Sequence, residues 1–272
     1  MNEILKPLDY QENYKDLIPE GNFRISPSSL YKFSKEKHNW FRSEILGEKV
    51  FEANTSTILG TCVHRCAEVF TKFKSSEERS ILHTELPEYI NSFKHRIDLD
   101  VNLDYILEQY KPMGQALMDY LAITGIPEKS EDVIAAKLMD GVYVGGTADA
   151  VIGDILIDYK TTSKANPELI IPNHYKWQML AYAWVYNKLG IPINTLRIIW
   201  ITTNQVNRIS EKTGKYLKDY PTQIIPVNYQ ITTEDIDFIE DYLKLIGETY
   251  LKYKQDPNLA YLLFSDYRLK QI

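Results

Sequence analysis

Cysteine is almost missing from this chain: 272 residues contain two, Cys62 and Cys66, spaced as neighbours on one helix. A disulfide framework is excluded, as is a complete zinc or iron-sulfur ligand set, and a reducing intracellular setting fits best. No apolar run approaches the length of a membrane span, and the N-terminal stretch, with Glu3, Asp9 and Glu12, lacks the basic start of a signal peptide. The expectation is a soluble protein of the cytoplasm with no membrane contact. Excess positive charge is lacking too. With 31 Lys and Arg against 37 Asp and Glu the formal net charge is -6, which excludes a globally basic polyanion binder. A local basic groove around an acidic, cation-loaded centre remains open. Internal repeats and low-complexity tracts are absent, and the length is most economically one large domain.

What is present reads as helices first and strands later. Residues 1–24 carry no clear period and are expected to wrap the surface. Ser26-Pro27 marks a helix start, with Leu30, Phe33, Trp40, Phe41 and Ile45 on the buried side. A second helix is expected from about Thr57 to Phe73, with Leu59, Val63, Cys66, Phe70 and Phe73 as its apolar stripe. Further helices should fill about Glu85 to Thr124, broken near Pro112. Strands follow over about Asp132 to Met139, Val142 to Ile152 and Ile155 to Thr161. A long helix is expected over about Pro167 to Leu189, ended by Gly190-Ile191-Pro192. Then come a strand over Leu196 to Thr202, a polar loop or mobile hairpin over 203–220, an edge strand over Ile224 to Tyr229 and a helix over Thr233 to Lys254, with a tail to residue 272.

The chemistry concentrates at the tight turn Gly153-Asp154. Gly supplies the positive φ that a two-residue hairpin turn requires. If Ile152 pairs with Ile155, counting outward sets Asp149 opposite Asp158 and Thr147 opposite Lys160, all four on one face. Like charges opposed on adjacent strands are destabilising, so the arrangement calls for a cation between them or a strongly raised pKa on one. A divalent metal with oxygen ligands is the simplest answer; a surface ion pair across a hairpin is the bland alternative. Asp158-Tyr159-Lys160 is the one acidic-x-Lys triplet in the chain.

These residues resemble a family. Gly146-Thr147-Ala148-Asp149 followed by Ile157-Asp158-Tyr159-Lys160-Thr161-Thr162 resembles the core of the PD-(D/E)xK nucleases, in particular the RecB-like branch. Gly60-Thr61-Cys62-Val63-His64-Arg65-Cys66-Ala67-Glu68 is similar to that branch's Gly-x-x-x-His-x-x-x-Glu helix, and Gln178-Met179-Leu180-Ala181-Tyr182 to its Gln-x-x-x-Tyr helix. Ser26-Pro27-Ser28-Ser29-Leu30 looks like the start of such domains. The resemblance covers about residues 25–200 and keeps motif order. It implies an α/β fold with a restriction-endonuclease-like core, a mixed β-sheet flanked by helices, and an N-terminal helical portion, within a single domain over 1–272. Some relatives carry an iron-sulfur cluster on four cysteines. Lys35, Glu36 and Lys37 stand where the early cysteine would fall and none follows Cys66, so the cluster is expected to be absent. Its clamping role would pass to packing, for instance by Tyr261, Leu262, Leu263 and Phe264.

The resulting expectation is a metal-dependent deoxyribonuclease hydrolysing phosphodiester bonds. His64, Asp149, Asp158 and the Tyr159 carbonyl would bind Mg2+ or Mn2+. Lys160 would position the attacking water, with Gln178 and Tyr182 orienting water or phosphate and Glu68 supporting His64. Spacing alone leaves bland alternatives: a core histidine at 64, an exposed helix glutamate at 68, a polar strip at Gln178 and Tyr182. Lys32, Lys35 and Arg42 of the first helix, with Arg208, Lys212, Lys215 and Lys218 of the polar segment, are the candidates for holding DNA. Relatives are often exonucleases in recombination, replication or repair machinery, with a helicase on another chain. A separate nuclease of this kind would suit a phage acting in its host's cytoplasm. An RNA nuclease or a structure-specific endonuclease would share the motifs, and so would an inactive nucleic-acid-binding module of the same fold.

Overall fold

In the computed structural model, residues 6–8, 14–48, 53–96, 98–210, 212–256 and 258 are described. The β-branched and aromatic runs of the sequence form one six-stranded sheet from β1 (Phe23–Ile25), β2 (Lys129–Met139), β3 (Val142–Ile152), β4 (Ile155–Thr162), β5 (Thr195–Thr202) and β6 (Ile224–Gln230). β3 organises it. Antiparallel β2 pairs with one edge of β3 along nearly its whole length. The other edge is shared: β1 pairs parallel at Val142 to Val144, and β4 pairs antiparallel at Ala150 to Ile152. Between those stretches β3 faces neither strand, and side chains satisfy backbone groups that a ladder would otherwise use. Arg24 Nη1 donates to the Gly145 carbonyl at 2.8 Å, and Asp149 Oδ2 accepts the Tyr159 N–H at 2.8 Å. β5 runs parallel to β4 and antiparallel to the edge strand β6.

Helices cover both faces. Over one lie α3 (Thr55–Lys72), α5 (Leu82–Ser92) and α6 (Leu103–Thr124), burying Ala150, Ile157, Tyr159, Ile199 and Ile201. Over the other lies α7 (Asn173–Lys188) with α1 (Leu30–Lys35), α2 (Lys37–Trp40) and α8 (Thr233–Gln255), burying Ala148, Val151, Leu156, Leu196, Ile198 and Val227. The short α4 (Ser76–Arg79) links α3 to α5. The expected mixed sheet flanked by helices is therefore observed, with helices filling most of the chain before β2.

Several local expectations need correction. Residues 23–25 form a strand rather than surface wrapping. The first helix is segmented: Pro27–Ser29 is a 3-10 turn, α1 ends at Glu36 (φ -128°, ψ 48°), and Phe41–Ile45 is a π turn. α6 passes through Pro112 unbroken. Its buried Ile106, Tyr110, Met113 and Leu117 pack in the α3-side core, which compensates the lost hydrogen bond. α7 begins at Asn173 instead of near Pro167. The expected clamp at Tyr261, Leu262, Leu263 and Phe264 lies outside the described residues.

Candidate active site

α3 is fixed at its start by a capping box: Thr57 N–H donates to Asn54 Oδ1 at 3.1 Å and Asn54 N–H to Thr57 Oγ1 at 2.9 Å. From there it runs along β4. A Cβ on Gly60 would sit 3.8 Å from Thr161 Oγ1, and His64 Nε2 lies 2.8 Å from the Tyr159 carbonyl oxygen. Four helical residues advance about 6 Å and two strand residues about 6.6 Å, so the helix and strand spacings match. A carbonyl cannot donate, so His64 Nε2 carries the proton. The other nitrogen, Nδ1, then faces two carboxylates, Asp149 Oδ2 at 3.6 Å and Glu131 Oε1 at 4.0 Å.

Glu131 is the residue that the sequence reading missed. His64, Glu131 and Asp149 offer ligand atoms that all lie within 4.8 Å of one another. Glu131 holds φ at 49°, a left-handed conformation unusual for a side chain of this type. It sits between the pairs Ser130 with Ala150 and Asp132 with Ala148. Burial, then the charges of Asp149 and Glu68, push its carboxyl up to about 8. The alternation of β3 breaks at the same level: Ala148 packs toward α7 and Ala150, two residues on, packs under α3.

That break overturns part of the expected register. Ile152 does pair with Ile155, but the ladder ends at Ala150 with Ile157. Asp149 and Asp158 are not a ladder pair, nor are Thr147 and Lys160, although Asp149 stays close enough to Asp158 and Lys160 to shift both and Thr147 lines the same cleft as Lys160. Asp149 turns toward His64 of α3. Asp158 and Lys160 alternate to the α7 side, where Lys160 Nζ is 2.7 Å from Asp158 Oδ2 and 4.9 Å from the Tyr175 ring centroid. Asp158 is 5 % exposed and its Oδ2 has no well-directed hydrogen bond. Burial pushes its carboxyl up to about 6 against the opposing pull of Lys160, with Asp149 adding to the rise. Burial works to lower the Lys160 ammonium, but Asp158 and Asp149 outweigh it and the net shift is upward.

The remaining candidates are placed unevenly. Tyr159, expected as a ligand through its carbonyl, uses that oxygen to hold His64. Glu68 supports not His64 but a basic pair, with Arg65 at 2.6 Å and Lys72 at 2.8 Å, because burial beside α5 and α6 demands partners for its charge. Tyr182 lies beneath the break in β3: a Cβ on Gly146 would fall 2.6 Å from its hydroxyl oxygen. Gln178 is half-buried one turn earlier on α7. Arg42 pairs with Glu48 at 2.5 Å, so its charge is internally matched, whereas Lys35, Arg208, Lys212, Lys215 and Lys218 are exposed and Lys32 is half-buried. A cleft of about 660 Å³ joins His64, Glu131, Thr147, Lys160 and Tyr175 to the N-terminal residues Lys6, Pro7 and Leu8.

The donor set fits a divalent cation. An imidazole nitrogen confronting two carboxylates is a cluster that a cation relieves. The cysteines cannot contribute, since Cys62 and Cys66 are buried thiols whose pKa values burial pushes up to about 12.

Among curated proteins none matches the chain. Among solved structures, a Eubacterium rectale protein provisionally described as an exonuclease is 12 % identical, with 90 % of this chain and 86 % of that one covered and a TM-score of 0.55. An alkaline exonuclease from Laribacter hongkongensis is 15 % identical, covering 76 % of this chain and 93 % of that one, with a TM-score of 0.34. The first shares the restriction-endonuclease-like fold. The family description that fits the sequence is the PD-(D/E)XK nuclease superfamily, matched over residues 24–246. That match spans most of the chain, from within β1 to α8, and takes in His64, Glu131, Asp149, Asp158, Lys160 and Tyr182, and the chain belongs to the PD-(D/E)XK nuclease superfamily.

Proposed function

We propose that the chain is a divalent-cation-dependent deoxyribonuclease of the RecB-like branch, hydrolysing phosphodiester bonds as an exonuclease in DNA recombination, replication or repair. The observation that carries this reading is the convergence of His64, Glu131 and Asp149 within 4.8 Å, next to the buried Asp158 and its half-buried partner Lys160. His64 Nδ1 and the two carboxylates would hold the ion, with Asp158 closing the set from the other side of the sheet break. Carboxylates suit Mg2+, and the imidazole tilts the site toward accepting Mn2+. When bound, such an ion supplies positive charge to the scissile phosphate and an acidified water. Lys160 stays protonated because its pKa is raised, so it acts as an electrostatic group rather than a base. Asp158 and the Tyr175 ring aim it. Tyr182 supports the break in β3 from below, and Gln178 on the same helix face would orient water or a phosphate oxygen.

The test uses end-labelled single- and double-stranded DNA, linear and circular, incubated with Mg2+, Mn2+ or EDTA. Cleavage of linear DNA with either metal and none in EDTA is expected. Lys160→Ala should keep metal and DNA affinity while losing cleavage on the order of 100-fold or more. Cutting at the parent rate by Lys160→Ala, or full activity in EDTA, would sink the reading.

A further inference from the structure

The segment joining β5 to β6 is a built arm rather than a solvated loop. Its root is held rigidly. The side chain of Gln109, 2 % exposed on α6, donates to the Asn204 carbonyl at 3.1 Å and accepts the Asn204 N–H at 2.7 Å. Thr203 N–H donates to the Thr162 carbonyl at 2.9 Å, which ties the root to the strand end just beyond Lys160. Outward from there, Gln205 and Tyr220 exchange hydrogen bonds of 2.8 and 2.9 Å, and Leu217 N–H donates to the Arg208 carbonyl at 2.8 Å. Gly214, at φ 64°, turns the tip.

This arm displays what globular surfaces usually hide. Ile209 and Tyr216 are direct cross-strand partners, yet they are 53 % and 77 % exposed, with Leu217 at 43 % beside them. Arg208, Lys212, Lys215 and Lys218 flank that apolar step, against Glu211 and Asp219, so the arm is basic in a chain of net charge -6. An exposed aromatic step framed by cations complements a nucleobase face and its phosphates. In a duplex the base faces are covered by their neighbours; only an end or an unpaired segment leaves one free.

We propose that the 203–220 arm is a stacking platform for unpaired nucleobases: Tyr216 and Ile209 take a base while Arg208, Lys212, Lys215 and Lys218 hold the adjoining phosphates, leading one strand toward the cleft. The proposal rests on the nuclease reading for its purpose, though not for its binding chemistry.

The full chain is titrated in EDTA into a duplex carrying a single-stranded overhang with 2-aminopurine, and into its blunt counterpart. The parent should quench the overhang fluorophore. Tyr216→Ala should lose the quenching and bind the overhang about tenfold more weakly, with the blunt duplex changed by about twofold at most, and Tyr216→Trp should restore both. Tyr216 is exposed, so a melt unchanged from the parent accompanies these results. Quenching and affinity unaffected in Tyr216→Ala overturn the proposal, as does no binding of either DNA by the parent. If Tyr216-dependent quenching occurs but no DNA is cut with Mg2+ or Mn2+, the nuclease reading fails and the platform stands. Cleavage by the parent with Tyr216→Ala binding normally gives the reverse.

Discussion

At Glu131 three unfavourable conditions coincide: partial burial of a carboxylate, a neighbouring carboxylate at Asp149, and a left-handed backbone. Strained, charge-frustrated positions of this kind persist where function requires them. Glu131→Gln keeps the shape and removes the charge. In EDTA at about pH 3.5 the carboxyl is neutral both in the folded protein, where its pKa is pushed up to about 8, and in the unfolded chain, and the two melts should coincide. At pH 9 the variant should melt higher, while binding Mn2+ about tenfold or more weakly by calorimetry. A variant less stable than the parent at pH 9 would mean that the carboxylate is a net structural contributor. Asp158 behaves differently. Its partner Lys160 is half-buried at the cleft wall, so Asp158→Ala leaves an ammonium without its partner and should destabilise the metal-free protein, by roughly 1–3 kcal/mol.

Among the elements, α3 sets the reach of His64, and α6 sets the depth of α3. Gly114 of α6 lies against Cys66 of α3 so closely that a Cβ on it would fall 2.5 Å from Cys66 Sγ. Gly114→Ala should therefore destabilise by about 1–3 kcal/mol. Adding Cys66→Ala should recover much of that loss, which a double-mutant cycle of denaturant melts measures. Additive losses would indicate that the helices part rather than repack. The hairpin arm carries an independent test. Replacing Arg208, Lys212, Lys215 and Lys218 by Ala should weaken DNA binding and flatten its salt dependence, because fewer counterions are released. An unchanged slope of affinity against salt would leave the arm without phosphate contacts.

For the whole molecule, stability and metal should be linked through protons. Glu131 and Asp158 have folded pKa values of about 8 and about 6, above ordinary values of 4.5 and 3.8. Between those limits the folded state binds more protons than the unfolded, so their contribution favours folding at low pH and is lost as pH rises toward 8. Melts in EDTA should show this fall, to be compared with the Glu131→Gln and Asp158→Asn variants to isolate it. A divalent cation competes with those protons, so its stabilisation should grow over the same range. Much of the molecule was legible in one dimension. The Gly153-Asp154 turn set the Ile152 and Ile155 pair, and the Gly60 and His64 spacing set a helix that runs along β4. What was illegible came from breaks in period. The Asp140-Gly141 turn starts β3 with Met139 opposite Val142, and counting outward from it puts Asp132 opposite Asp149. The irregularity between Lys137 and Met139 shifts the register by one and brings Glu131 there instead. No local propensity announces that slip, nor the end of the β3 and β4 ladder at Ala150, since both are set by packing between layers.

The bond from the Tyr159 amide to the Asp149 carboxylate gives this site its own reporter. That amide belongs to a strand yet rests on a side chain rather than on a neighbouring strand's carbonyl. Its solvent exchange is governed by the posture of one carboxylate instead of by the opening of the sheet. Capture of Asp149 by an ion would alter the amide's proton chemical shift and protection, while the Ile155 to Ile157 amides, held by conventional pairing, stay as they are. One resonance would thus register occupancy of the centre without substrate or turnover.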